Sequence, residues 1–238
     1  MRLLAVETSA GAASCAICEN GTLVAQYYQD CGQTHSRTIM PMIEAVTKNC
    51  DISPDSFDCF AVAVGPGSFT GLRIGVSAVK GLCWSLGKPA CGVSTLHAMA
   101  KGVAFMLEAA PDAVICPVMD ARRNQVYNAL FGAENGNLAV IRPDRAISVS
   151  DLAAEIKLSG KKHILVGDGA EVCYDTLIES GLPVALCPQP LRKQTAWGVA
   201  LAALNKISRG ETVSGGALEL NYLRLPQAER ERLGVSDL

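Results

Sequence analysis

Residues 64–82 read VGPGSFTGLRIGVSAVKGL. The run before them, CFAVAV at 59–64, is short and wholly apolar, the pattern of a strand buried on both faces. A Gly-Pro-Gly-Ser turn follows, and then a helix predicted from about Thr70 to Leu86. Strand, glycine turn and helix in that order mark an α/β unit. The turn is not a P-loop, because no Lys-Ser or Lys-Thr pair follows the matching glycine run. Gly65 and Gly67 fit a sharp strand-to-helix turn, where a missing Cβ lets the backbone bend. Binding of an anion on free N–H groups at the helix start is the alternative.

The helix itself is unusual in composition. From Leu72 to Leu86 only Arg73 and Lys80 are charged. One face carries Leu72, Val76, Val79, Leu82, Cys83 and Leu86; another carries the small residues Gly71, Gly75 and Ala78. A surface helix keeps a broad polar face, so this one is expected to be covered nearly all round. An earlier helical pattern, Ile39, Met42, Ile43, Val46 and Cys50, interrupted by Pro41, is its expected neighbour. The pair either fills the core alone or also presents itself to another chain. On the second reading the interface residues are Ile39, Met42, Ile43, Val46, Gly71, Leu72, Gly75, Ala78, Val79 and Leu82.

Working outward, strands are expected at 2–7, 12–18 and 22–29, with Asn20-Gly21 as a hairpin turn. A strand at 90–93 precedes a helix capped by Ser94-Thr95. The second half repeats the order: AVICPVMD at 113–120, QVYNALF, the hairpin signal ENGN, LAVI, a helix near 150–158, HILVG, a helix near 171–180, VALC, and a helix from about 195 to 208. The class is therefore α/β, with a duplicated β-β-β-α-β-α lobe. The expected lobes are 1–108 and a smaller 109–238, and the tail ALELNYLRLPQAERERLG is expected to pack back on the core and then fray.

Composition limits the function. The chain has 238 residues, 49% hydrophobic and 18% charged, with a net charge of -2, which suits a globular protein and disfavours a dedicated nucleic-acid binder. No apolar run approaches the length of a membrane span, and MRLLAVETS reaches Glu7 too soon for a signal-peptide core. A cytoplasmic location is expected, with the ten cysteines as thiols. Cys15 and Cys18 form a C-x-x-C, but in a strand that spacing sends them to opposite faces, so they read as small buried hydrophobes rather than a metal knuckle. His35-Ser36 reads as a helix start capped by Thr34 or Ser36, not as a base and nucleophile.

The doubled unit resembles the plan of the actin, sugar-kinase and heat-shock-chaperone (ASKHA, ribonuclease-H-like) superfamily. The resemblance implies a nucleotide between the lobes, with the turn after each lobe's first strand facing the phosphates. Those turns are ETSAGAAS and DARRNQ. Glu7, Thr8, Ser9, Gly65, Gly67 and Asp120 are the candidate phosphate-side residues, working or vestigial. Arg122-Arg123 stands where a glycine would help, and VGDGAEV at 166–172 is the sole candidate for the adenosine side.

More specifically, AVGPGSFTGLRIGVSAVKGL, GVSTLHAMA, LLAVETS, HSRTIMPMI, MDARRNQVY and the late YLR together resemble the TsaB (YeaZ) family. That family is a partner subunit in making threonylcarbamoyladenosine at position 37 of tRNA. The resemblance implies a subunit without its own catalysis. Its partners would be a metal-binding paralogue, TsaD, an ATPase, TsaE, tRNA through the complex, and a second copy when alone, met through the N-terminal helices. The catalytic paralogue has two metal-binding histidines four apart; Thr95 and Met99 stand at the matching positions here. His97 lies two residues from each, so no metal site is expected. Whether ATP or ADP binds between the lobes or at a subunit interface stays open, as does the alternative of a standalone ATPase or kinase of the same superfamily.

Overall fold

The computed structural model describes residues 1–224. The first sheet has the order β3-β2-β1-β4-β5. Its strands are β1 (Arg2–Glu7), β2 (Ala13–Glu19), β3 (Thr22–Gln29), β4 (Cys59–Gly65) and β5 (Ala90–Ser94). The second has the order β10-β9-β6-β7-β8, formed by β6 (Val114–Asp120), β7 (Gln125–Glu134), β8 (Asn137–Ser148), β9 (His163–Val166) and β10 (Val184–Leu186). In each sheet the first three strands run antiparallel and the other two add in parallel. The two halves of the chain thus share one topology, the duplicated plan expected from the strand order.

β1 explains why its sequence is apolar without alternation. Leu4 and Val6 enter one core, Leu3 and Ala5 another, on opposite faces of the sheet. Cys15 and Cys18 divide in the same way, and burial pushes the Cys15 thiol up to about 12. The first face is covered by α1 (His35–Asn49) and α2 (Phe69–Leu86). The opposite face is covered by α8 (Ala196–Ser208), from the far end of the chain. In the second sheet, α3 (Thr95–Gly102) covers one face, and α5 (Val149–Ser159) with α6 (Ala170–Glu179) covers the other. The short α4 (Met106–Ala109) and α7 (Gln189–Arg192) sit in connections.

The division at 108/109 separates the strands of the two sheets, while the covering helices cross it. α3 from the first half lies on the second sheet, and α8 from the second half lies on the first. The two touch between the sheets: a Cβ on Gly198 of α8 would fall 2.4 Å from the Ala98 carbonyl oxygen of α3. The start of α8 is fixed by first-lobe side chains. Ala196 N donates to Ser14 Oγ at 2.7 Å and Trp197 N to Gln26 Oε1 at 3.0 Å, occupying amides that a helix start leaves unpaired.

The glycine stripe of α2 makes its closest contacts inside the lobe. A Cβ on Gly71 would lie 2.1 Å from the Thr8 carbonyl oxygen, and one on Gly75 would lie 2.3 Å from Thr8 Oγ1. Thr8 Oγ1 donates to the Gly71 carbonyl at 2.8 Å. The stripe therefore seats α2 on the end of β1 and, at Gly71, also against α1, where a Cβ would lie 3.2 Å from His35 Cδ2. Ile39, Met42, Ile43, Val46, Leu72 and Val79 are buried in the first-lobe core. Gly71 and Gly75 are buried as well; of the ten residues expected at an interface, Ala78 and Leu82 keep partial exposure. Sequence shows that something approaches the small residues closely, and not what. Pro41 is accommodated inside α1 on an exposed position. Thr34 stands at the N-cap of α1, but its hydroxyl makes no capping bond.

Replacing Gly75 by leucine is expected to destabilise the lobe itself by about 1–3 kcal/mol or more, as overpacking does. A urea unfolding midpoint equal to that of the unmodified chain would show that α2 does not pack on Thr8 as described.

Candidate functional site

The two turns predicted to face phosphate do meet. They line a cleft of about 610 Å³ between the lobes, with Ser9, Gly11, Gly67, Asp120, Asp168 and Arg224 among its walls. The GPGS turn belongs to it through Gly67. A Cβ there would fall 2.5 Å from the Ser9 carbonyl oxygen, and Ser68 N donates to that same oxygen at 2.7 Å. The Ser68 hydroxyl accepts from Gly71 N at 3.3 Å and caps α2. Gly65, at φ 129°, admits the tail: a Cβ would lie 2.2 Å from the Asn221 carbonyl oxygen. Both glycines therefore serve close backbone approach at the entrance of α2.

Each lobe's first strand ends in an acid that folds back on its own turn. Ser9 N donates to Glu7 Oε1 at 2.5 Å, and Arg122 N donates to Asp120 Oδ1 at 2.7 Å. Glu7 is 1% exposed and its Oε2 has no partner. Burial pushes its carboxyl up to about 7, with the charge of Asp168 adding to the rise and hydrogen bonds from Ser9 opposing it. Asp168 is also raised, first by desolvation, while the Gln194 hydrogen bond at 2.6 Å holds it down. The second turn is a short left-handed spiral: Arg122, Arg123 and Asn124 have φ of 63°, 55° and 58°, a conformation that costs L-residues with a Cβ roughly 1–2 kcal/mol each.

These residues do not fit the magnesium nucleotide that the fold plan implies. Glu7 is 1% exposed and is not among the residues lining the cleft, so its carboxyl does not face a hydrated cation there. In both turns the amide two residues past the acid is taken by the acid's own oxygen, where phosphate binding needs free N–H groups. Gly167 and Gly169, expected on the adenosine side, are used in packing on β6: a Cβ on Gly167 would lie 2.1 Å from the Val118 carbonyl oxygen, and one on Gly169 would lie 3.0 Å from Asp120 N. A larger hollow of about 980 Å³ adjoins Gly169, between α5 and α6.

The remaining candidates are structural. His35 Nε2 hydrogen bonds to the Ala10 carbonyl at 2.7 Å and ties α1 to the first turn. Thr95 and Met99 are buried on α3, and Met99 lies in the core under the second sheet. His97 stacks on Phe131 with ring centroids 5.5 Å apart. Burial, then the charges of Lys101, Lys206 and Arg209, push it down to about 4. Among the described residues, no three His, Cys, Asp or Glu side chains are grouped to hold a metal ion.

One surface residue was missed. Trp84 of α2 is 89% exposed. It ends a row on α2, with Arg73, Ser77 and Gly81 before it, all exposed. Their spacing of four, four and three residues marks one helix face, a signal hidden in the sequence by the apolar run around Trp84. Met40, 44% exposed, lies on the neighbouring α1.

The two sheets, their shared topology and the cleft between them define an actin-like, two-lobed α/β protein. YeaZ from Pseudomonas aeruginosa superposes with a TM-score of 0.79 at 24% identity, over 93% of this chain and 99% of that one. A ROK hexokinase from Thermus thermophilus reaches 0.50 at 10% identity, over 88% and 100%. The family model described as "TsaD: tRNA N6-adenosine threonylcarbamoyltransferase" matches residues 28–210. The tRNA threonylcarbamoyladenosine biosynthesis protein TsaB of Bacillus subtilis is 32% identical over 96% of this chain and 96% of its own length. The TsaB of Escherichia coli is 31% identical over 94% and 95%. The chain belongs to the TsaB (YeaZ) family.

The raised Glu7 carboxyl gives a pH signature. Between the ordinary carboxylate range and about pH 7 the folded state binds more protons at Glu7 than the unfolded state does, so this group's contribution to stability falls as pH rises through that window. Glu7→Gln is expected to remove the effect. The variant should gain on the unmodified chain by up to about 3 kcal/mol between pH 5 and pH 8, read from urea unfolding at each pH. Parallel pH curves for the two proteins would show that Glu7 is not buried as described.

Proposed function

We propose that this chain is a non-catalytic subunit in the biosynthesis of threonylcarbamoyladenosine at position 37 of tRNA, acting in the cytoplasm. Its task is to hold a metal-binding, TsaD-like paralogue in a competent form and to help build the surface met by a TsaE-like ATPase and by tRNA. The observation that carries the reading is Trp84, a large apolar side chain left in water on the α1–α2 side of a lobe whose core is already complete. Exposed tryptophan is a frequent anchor of protein interfaces. The partner follows from ancestry: a paralogue with the same lobe carries an equivalent helix pair, and two such pairs can meet about a pseudo-twofold axis. The same surface would serve a second copy when the chain is alone. The division into a 1–108 lobe bearing this surface and a 109–238 lobe belongs to the same proposal.

Thr95 and Met99 at the positions of the paralogue's metal ligands, and Glu7 withdrawn from solvent, support a subunit over a catalyst. The standalone ATPase or kinase reading draws on the hollow beside Gly169. The two readings separate by titration of the isolated chain with magnesium ATP: no saturable binding is expected, and tight magnesium-dependent binding would favour the ATPase.

Reconstitution tests the role directly. Threonylcarbamoyladenosine is expected to form from tRNA, threonine, bicarbonate and ATP only when this chain joins the adenylate-forming enzyme, the paralogue and the ATPase. Trp84→Ser is expected to weaken binding of the paralogue tenfold or more, since an interface anchor is commonly worth about 2 kcal/mol, with thermal stability unchanged. Full activity without the chain would overturn the subunit reading, and unchanged affinity in a folded Trp84→Ser protein would move the interface elsewhere.

A further inference from the structure

The segment after α8 crosses from one lobe to the other over the mouth of the cleft. It starts on the first lobe's sheet edge, where Ala90 and Val213 exchange hydrogen bonds of 2.8 and 2.9 Å. It passes under α2 at Gly215, where a Cβ would lie 2.6 Å from that of Cys83. Leu218, 3% exposed, then enters the first-lobe core. Asn221 N donates to the Val64 carbonyl at 2.8 Å, just before the GPGS turn. Tyr222 packs its ring on Phe69, centroids 4.7 Å apart, and its hydroxyl accepts from Arg73 Nε at 3.0 Å. Both of those partners lie in the first turns of α2.

The next two residues belong to the other lobe. Leu223 packs against the core under the second sheet. Arg224 reaches the second phosphate-type turn: its Nη1 donates to the Ala121 carbonyl at 2.9 Å, and its guanidinium lies 6.0 Å from the Tyr127 ring centre. Among the described residues the first-lobe anchors are the more numerous, with Gly215 and Leu218 buried, whereas the second-lobe anchors are Leu223 and Arg224. On the far side of the cleft the lobes are joined by the α3–α8 contact at Ala98 and Gly198. A contact at the back and a tie at the mouth are the two parts of a hinged clamp.

We propose that Leu218–Arg224 is a latch: Leu223 and Arg224 hold the cleft at its closed angle, and Tyr222, next to them in the chain, links that closure to the exposed start of α2. Opening of the lobes would draw Tyr222 from Phe69 and Arg73 and reshape that surface, and a partner that grips Phe69 and Arg73 would in turn bias the lobe angle. The coupling is reciprocal by necessity. It stands on the geometry of this chain alone and does not need the partner reading above.

Amide hydrogen exchange on the intact chain tests it. Arg224→Ala removes the polar second-lobe tie and leaves Leu223 and every first-lobe anchor in place. Exchange is expected to quicken about tenfold in 119–127, the turn that Arg224 grips, and also in 69–75, which Arg224 does not touch, as sub-global opening does. The cooperative melting transition should remain. Arg224→Met, which keeps an apolar stem over Tyr127 but no donor, serves the same purpose if the alanine variant fails to fold. Unchanged exchange in both segments would overturn the latch. A rise confined to 119–127 would overturn its coupling to α2.

Discussion

The architecture depends on one close contact, α8 against α3 between the two sheets. A sheet with two apolar faces must be covered on both, and each half of this chain makes helices enough for its own outer face. The inner faces are covered by exchange, α8 on the first sheet and α3 on the second. These helices must then lie against each other, and Gly198 makes this possible, since any Cβ would enter the Ala98 carbonyl. With the helices that close, the turns after β1 and β6 face one another across a cleft.

At that cleft the acid at the end of each lobe's first strand turns back on its own loop. Glu7 and Asp120 occupy equivalent strand ends, and each accepts a hydrogen bond from the amide two residues on. Glu7 is held where water does not reach, and its proton affinity rises accordingly. His97 shifts the other way, because burial and nearby cations both disfavour its charged form. The two groups therefore have opposite pH dependences over overlapping ranges, and a measured profile of the unmodified chain reports their sum.

Outside the cleft, the first lobe shows how core and surface share a helix. The ridge of α2 that carries Leu72, Val76 and Val79 is in the core, its glycines rest on Thr8, and the row ending in Trp84 faces water. The tail then links that helix to the second lobe, so that lobe closure and the start of α2 share Tyr222 and its neighbours.

Much of this was legible in the sequence. Strand order, both hairpins, the helix starts and the duplicated lobes followed from apolar periodicity and from Asn-Gly, Ser and glycine positions, because these are local consequences of backbone sterics and burial. The opposite facing of Cys15 and Cys18 followed from the period of a strand. What approaches a given face is not local. Gly71 and Gly75 announced a close neighbour, but only the fold brought Thr8 against them, beside His35 of α1 at Gly71. The burial of Glu7, the exchange of α3 and α8, the exposure of Trp84 and the reach of Arg224 to Ala121 join residues far apart in the chain, or depend on which ones do not meet. Side-chain patterns specify how a segment folds and which side of it avoids water; long-range packing decides what that side touches, and with it which polar groups are left to act.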